Sequence, residues 1–212
     1  MSKIKICGIR REDDIIYVNK YLPEFIGFIF APSKRRISFG EAADLAKNLD
    51  PSIKKVGVFV NESCENIDEA INKCDLDVVQ IHGDEDPCYF EKLKNKTLSL
   101  SKDKRVEVWK ALRVKDEMSL LEMGNYKVDG FVLDTFIEGS YGGAGKTFDW
   151  TLAVNAKKYG KIILAGGLTS ENLIDAINIV NPMVFDVSSG VETDGYKDEK
   201  KICDFIRIAR SY

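Results

Sequence analysis

Histidine is almost missing from this sequence: His82 is the one copy in 212 residues. A metal centre built on imidazole therefore has no ligand set to draw on, since a site needs about three protein ligands. The five cysteines, at 7, 64, 74, 88 and 203, are odd in number and contain no C-x-x-C pair. That argues against a disulfide framework or a zinc knuckle. No apolar run approaches the ~20 residues of a membrane span. Charge of one sign is not in excess either. The 31 Lys and Arg against 34 Asp and Glu leave a net −3, so there is no electrostatic case for nucleic acid or an acidic membrane. An apolar strand starts almost at once, so no leader peptide is expected and a reducing cytoplasm is the expected compartment.

What is present is an apolar fraction of 44%, enough for a real core, arranged in a repeating alternation. Ile4–Cys7, Phe25–Phe30, Val56–Val60, Val78–His82, Val106–Leu112 and Gly130–Asp134 read as strands. Two more apolar runs, Ile162–Gly167 and Val184–Gly190, break off into glycine and serine. Nearly continuous apolar runs are expected of parallel strands buried on both faces. Between them lie helical stretches: Glu12–Tyr21, Glu41–Leu49, Glu62–Cys74, Asp116–Met123, Asn172–Ile179 and Asp198–Ala209, with others opened by Asp86-Pro87 and Asp149-Trp150. Ser38 with Glu41 three residues on has the form of a capping box. The polar segment Asn95–Arg105 reads as a surface loop.

Eight strand–helix units imply an α/β parallel architecture. An open doubly wound sheet is the competing arrangement. Eight regular units with no surplus, in a chain near the ~200-residue minimum for the fold, favour one (β/α)8 barrel over residues 1–212. No linker interrupts it.

In such a barrel the active site lies at the C-terminal ends of the strands. The polar residues there are Cys7, the Arg35/Arg36 pair, Asn61, His82, Arg113, Asp134, Gly166 and Gly167, and Ser188, Ser189 and Gly190. The glycine and serine loops after strands 7 and 8 suit a phosphate, because they leave backbone N–H groups close together. Most cysteines are small buried hydrophobes. Cys7 differs by ending a strand, and as a base it would need a charged neighbour to favour thiolate. Strand period places Lys5 on the same face as Cys7, one layer deeper. A contact between Lys5 and Asp186 of strand 8 is expected, since strands 8 and 1 adjoin in a closed barrel.

Asp134 either caps a loop or acts as a general acid. The glycine-rich loop that follows it offers no immediate helix to cap. His82 reads either as structural or as a substrate contact. A metal set of Cys7, His82 and Asp134 has no supporting ligand spacing. Gly142-Gly143-Ala144-Gly145-Lys146-Thr147 lacks P-loop spacing and reads as a mobile lid or a plain loop.

Several blocks in this order resemble the phosphoribosylanthranilate isomerase family of tryptophan biosynthesis. They are Lys5-Ile6-Cys7-Gly8-Ile9, Val56–Asn61, Gln80-Ile81-His82-Gly83, Leu133-Asp134-Thr135, Gly142–Trp150, Leu164–Leu168 and Asp186–Glu192. The resemblance implies an Amadori rearrangement that needs no metal and no cofactor. Asp134 would be general acid and Cys7 general base. Gly142 and Gly143 would close over a phosphosugar, and His82 would touch it. An arginine of the second loop would face the anthranilate carboxylate, a planar anion that suits a guanidinium. Aligning back from Ile37-Ser38 selects Arg35; aligning forward from Phe30 and Pro32 selects Arg36. Arg35 is preferred. Ala144 departs from the Ser or Thr common in the family.

A Schiff-base aldolase using Lys110 is the competing enzyme reading. A phosphate-binding barrel without turnover is the competing reading of another class. Monomer and homodimer both remain open, as does a second, histidine-pathway substrate.

Overall fold

The computed structural model describes residues 2–100, 105–135 and 149–212, the side chains of 98–100 excepted. Gly142, Gly143 and the rest of the expected lid lie outside the described residues.

Eight parallel strands close into a barrel in sequence order, with β8 hydrogen-bonded back to β1. The strands are β1 (Lys3–Cys7), β2 (Phe25–Ile29), β3 (Lys54–Phe59), β4 (Val78–Ile81), β5 (Glu107–Val114), β6 (Gly130–Thr135), β7 (Ile162–Leu164) and β8 (Val184–Val187). Between and after them run α1 (Glu12–Tyr21), α2 (Phe39–Ala46), α3 (Cys64–Cys74), α4 (Pro87–Leu100), α5 (Met118–Leu121), α6 (Trp150–Ala156), α7 (Leu173–Ile179) and α8 (Glu199–Ser211). The expected short helix after β5 divides into α5 and a 3-10 turn at Glu122–Asn125. The closed barrel, not the open sheet, is the fold.

Strand parity sorts the side chains into two cores. Outward residues such as Ile4, Ile6, Ile26, Phe28, Val79 and Ile81 join the helices in the larger apolar cluster. Inward residues Phe25, Val56, Val78, Trp109, Val132, Ile163 and Val184 form a smaller one that plugs the barrel from below. Phe25 and Trp109 meet edge to face across it, with centroids 5.3 Å apart. The barrel is thus solid up to one level, and the site is whatever stands above that floor.

Asn95–Leu100 is helix, not loop: α4 runs through it. Phe90, Leu93 and Thr97 are all buried, and their i, i+3, i+7 spacing puts them on one helical face. Lys94, Asn95 and Lys96 lie on its outer face. There Lys96 pairs with Asp68 at 2.7 Å and Lys94 with Asp129 at 3.4 Å. A second difference follows β8. Glu192–Thr193 (β9) and Tyr196–Lys197 (β10) pair as a small antiparallel hairpin. Its tip is Asp194-Gly195, both at positive φ, the backbone that a two-residue hairpin turn demands.

The capping box at α2 is present: Ser38 N–H donates to Glu41 Oε2 at 2.7 Å and Glu41 N–H to Ser38 Oγ at 3.2 Å. It anchors the helix directly behind the loop that carries Arg35. Ser38→Ala should cost about 1 kcal/mol of stability. A urea titration would read this as a lower midpoint with an unchanged slope.

Candidate active site

A cavity opens at the C-terminal ends of the strands. Cys7, Arg35, Gln80, His82, Asp134, Gly166, Gly167, Asp186, Ser188 and Ser189 line it together with apolar side chains. Residues from 7 to 189 thus meet in one space, because the strand ends and the loops that follow them open on the same side of the barrel.

Just above the apolar floor lies a charged layer. Lys5 is fully buried. Its ammonium donates to Asp186 Oδ2 at 2.7 Å and to Gln80 Oε1 at 3.0 Å. The expected Lys5–Asp186 contact is therefore made, and the β1–β8 register puts the two residues side by side. Burial pulls the Lys5 ammonium down, but Asp186 and the Cys7 sulfur outweigh it and hold the group above its ordinary value. Cys7 sits directly above. Burial pushes its thiol up, Lys5 opposes this, Asp186 adds to it, and the net direction is up. Gly27, opposite Cys7 in the β1–β2 register, makes the room. A Cβ on Gly27 would lie 2.7 Å from Cys7 Sγ and 3.3 Å from Lys5 Cε.

Asp134 ends β6 on the other side of the cavity, with β7 and β8 between it and Cys7. Its Oδ1 accepts from the Thr135 N–H at 2.8 Å. Its Oδ2 lies 3.5 Å from His82 Nε2. Both His82 Nε2 and Asp186 Oδ1 are buried without a hydrogen-bond partner among the described residues. Two such atoms in one cavity, a ring nitrogen and a carboxylate oxygen, are a ready set of partners for a polyhydroxylated ligand.

Between Cys7 and Asp134 lie the two small-residue loops. Gly166 and Gly167 both have positive φ, 83° and 65°, where an L side chain is strained. A Cβ on Gly166 would also lie 2.7 Å from Asp134 Oδ1. Asn172 ties this loop down, donating to the Gly167 carbonyl at 2.8 Å. Gly190 does not line the cavity. It backs the eighth-strand loop onto the seventh, where a Cβ would run into the Leu168 carbonyl oxygen.

Arg35 forms part of the cavity wall and its alkyl stem passes over Gly8. Its Nε and Nη2 both donate to Glu192, each at 2.7 Å. Buried Lys197 donates to the same carboxylate at 2.8 Å. Burial raises the Glu192 carboxyl, yet the two cations outweigh it and hold it below its usual range. Arg36 is exposed and is not in the cavity wall, because it forms an isolated bridge with Ile29 that turns the chain back toward α2.

Asn61 and Arg113 also end strands without reaching the cavity. The exposed Asn61 accepts from the Asp84 N–H at 3.1 Å, and Arg113 pairs with Asp84. Lys110 points outward from β5 under the rings of Phe90 and Tyr126, 5.3 and 5.5 Å from its ammonium. It donates to the Gly83 carbonyl at 2.7 Å. Lys110 thus stands outside the cavity that holds Cys7 and Asp134. Among the described residues, no His, Cys, Asp and Glu side chains cluster as a metal site would require. Sequence reading passed over Gln80, Glu192 and Lys197. The signals available were the inward parity of Gln80 with His82, and the Asp194-Gly195 turn that folds Glu192 and Lys197 back toward Arg35.

Residues 4–208 match the family model described as N-(5'phosphoribosyl)anthranilate (PRA) isomerase. The chain belongs to the phosphoribosylanthranilate isomerase family. An N-(5'-phosphoribosyl)anthranilate isomerase of Acetivibrio thermocellus is 53% identical over 211 residues, covering 99% of this chain and 96% of the relative. The crystal structure of phosphoribosyl anthranilate isomerase from Thermotoga maritima superposes with a TM-score of 0.87 at 37% identity, covering all of both chains. A family structure in complex with reduced 1-(o-carboxyphenylamino)-1-deoxyribulose 5-phosphate gives 0.84 at 35% identity, again over both whole chains. Family membership makes this chain an isomerase. Among the described residues no helix is long and apolar enough to cross a membrane.

The Lys5–Asp186 pair makes a prediction of sign. Lys5→Met leaves a buried carboxylate uncompensated and should cost about 3–5 kcal/mol. Adding Asp186→Leu should recover most of that loss. Chemical denaturation of the single and double variants checks it; equal losses in both would show that the pair is not the cause.

Proposed function

We propose that this chain converts N-(5-phosphoribosyl)anthranilate into 1-(2-carboxyphenylamino)-1-deoxyribulose 5-phosphate in tryptophan biosynthesis. The observation that carries the reading is the joint presence of Cys7 and Asp134 in one cavity, with the glycine and serine loops between them. The phosphate sits on the loops of Gly166, Gly167, Ser188 and Ser189, with Gly190 fixing one loop against the other. The ribose then spans the space from Asp134 to Cys7.

Asp134 gives a proton to the furanose ring oxygen. The C1′–oxygen bond breaks as the anthranilate nitrogen forms a double bond to C1′, which yields a protonated Schiff base. The Cys7 thiolate then takes the C2′ proton, and the electron pair of that bond returns to the nitrogen as an enolamine. Ketonisation gives the product. Atoms balance within the substrate, one proton leaves Asp134 and one arrives at Cys7, and neither metal nor cofactor enters. The Lys5 ammonium favours the thiolate against the burial that disfavours it. Arg35, held by Glu192 on one edge, keeps its remaining N–H groups for the anthranilate carboxylate. A catalytic thiol must stay reduced, and a reducing cytoplasm suits that need.

Adding purified chain to phosphoribosylanthranilate should extinguish the substrate's fluorescence. Cys7→Ala and Asp134→Asn should each lower kcat by at least ~10²–10⁴-fold with the fold intact, and near-native turnover in either variant would falsify its assignment. Arg35→Met should raise KM with little change in kcat, whereas Arg36→Met should leave both near native.

The pH dependence has a definite sign. Cys7 acts deprotonated, so the rising limb of kcat/KM follows its ionisation. Removing the ammonium that opposes burial raises the thiol further. Lys5→Met should therefore move that limb to higher pH, and a limb that stays in place would remove Lys5 from the base's environment.

A further inference from the structure

We propose that Gln80 is a positioning residue that locks His82 in its neutral Nε2–H tautomer and aims that N–H at Asp134. The inference deepens the reading of Asp134 as general acid and rests on it for its catalytic part. The tautomer itself does not depend on that reading.

Lys5 sets the first orientation. An ammonium has three donors and no acceptor. Gln80 lies 3.0 Å from it and is only 2% exposed, so the amide oxygen must be the atom that faces Lys5. The amide NH2 then faces the other way. There it meets His82 Nδ1 at 3.4 Å. An NH2 group can only donate, so Nδ1 must be bare. A neutral imidazole with a bare Nδ1 carries its proton on Nε2. A doubly protonated ring would press an N–H against the amide hydrogens. The order Asp186, Lys5, Gln80, His82 and Asp134 is thus a chain in which each group dictates the orientation of the next. It crosses the barrel from β8 to β6 on inward positions of β1 and β4.

Nε2 has no hydrogen-bond partner among the described residues, and the nearest acidic oxygen is Asp134 Oδ2 at 3.5 Å. That separation is long for a hydrogen bond at rest. The contact gains strength once Asp134 has given up its proton, because an ionised acceptor binds an N–H about twice as strongly as a neutral one. His82 so favours the conjugate base of the acid, and does so at the step in which the ring opens. A bare Nε2 at the same place would repel it. A purely structural Gln80, present only to satisfy Lys5, would be indifferent to which ring nitrogen carries the proton.

The chain has a single histidine, so its ring nitrogens give one unambiguous pair of signals. In the full-length protein labelled with 15N-histidine, a long-range proton–nitrogen spectrum at neutral pH should show Nδ1 bare and Nε2 protonated. Gln80→Glu still offers Lys5 an acceptor but turns an oxygen toward Nδ1. The proton should move to Nδ1, and kcat should fall about 10²-fold, the usual cost of losing one preorganised donor, with KM within a few-fold of native. A wild-type spectrum with Nδ1 protonated would overturn the proposal. So would a Gln80→Glu variant whose tautomer changes while kcat does not. Should that variant fail to fold, the wild-type spectrum still decides the tautomer, and Gln80→Met supplies the kinetic arm by withdrawing the amide without adding charge. Full turnover by Asp134→Asn beside the expected wild-type spectrum would strike the acid assignment alone.

Discussion

An ammonium group with no solvent contact stands at the centre of this barrel. Taking such a charge out of water costs several kcal/mol unless its geometry and partners are good. Lys5 has Asp186 at 2.7 Å and Gln80 at 3.0 Å, directly above a plug of aromatic and branched side chains. The polar groups that touch it take their condition from it. Asp186 accepts from it through Oδ2 and keeps Oδ1 without a partner among the described residues. Gln80 is oriented by it. The Cys7 sulfur rests over it against the open face of Gly27. A barrel that filled this level with leucine would bury more apolar surface and lose the means to hold a thiolate.

A second electrostatic knot lies at the rim. Glu192 is shared between Arg35 and Lys197, so the guanidinium is held edge-on with little freedom left to lose when a planar anion arrives. The β9–β10 hairpin carries both partners. It is pinned in turn by the guanidinium groups of Arg10 and Arg11, which stack on Tyr196 at 4.7 and 4.5 Å, and by an Arg10 hydrogen bond to the Gly195 carbonyl. A rigid rim above a rigid layer suits a reaction in which two protons move at two fixed points.

Periodicity made the barrel legible. Eight apolar runs spaced by amphipathic ones leave few closed arrangements, and the strand-end positions of Cys7, His82 and Asp134 followed from counting. The Lys5–Asp186 pair was readable for the same reason, since parity and closure bring both to one level. Features that depend on what one side chain does to another were not readable. Nothing in Gln80 as a letter says that its amide has a forced orientation; that needs Lys5 on one side and His82 on the other. Arg36 looked equivalent to Arg35 until the Ile29–Arg36 bridge turned it outward. The helix through Asn95 was hidden because Thr97 stands on its buried face, where a larger hydrophobe is usual.

The two ends of the chain meet at the seam where β8 closes on β1. Lys5 joins Asp186 inside, Arg11 donates to the Lys197 carbonyl at the rim, and Lys20 reaches Glu199 on the outer surface. The groups that set the charge around Cys7 stand at positions 5, 186 and 197. They become neighbours only when a loop of nearly the whole polypeptide has closed, so this corner of the cavity is among the last that a folding chain can assemble. The thiol therefore gains its chemical setting from partners that only long-range closure can bring to it.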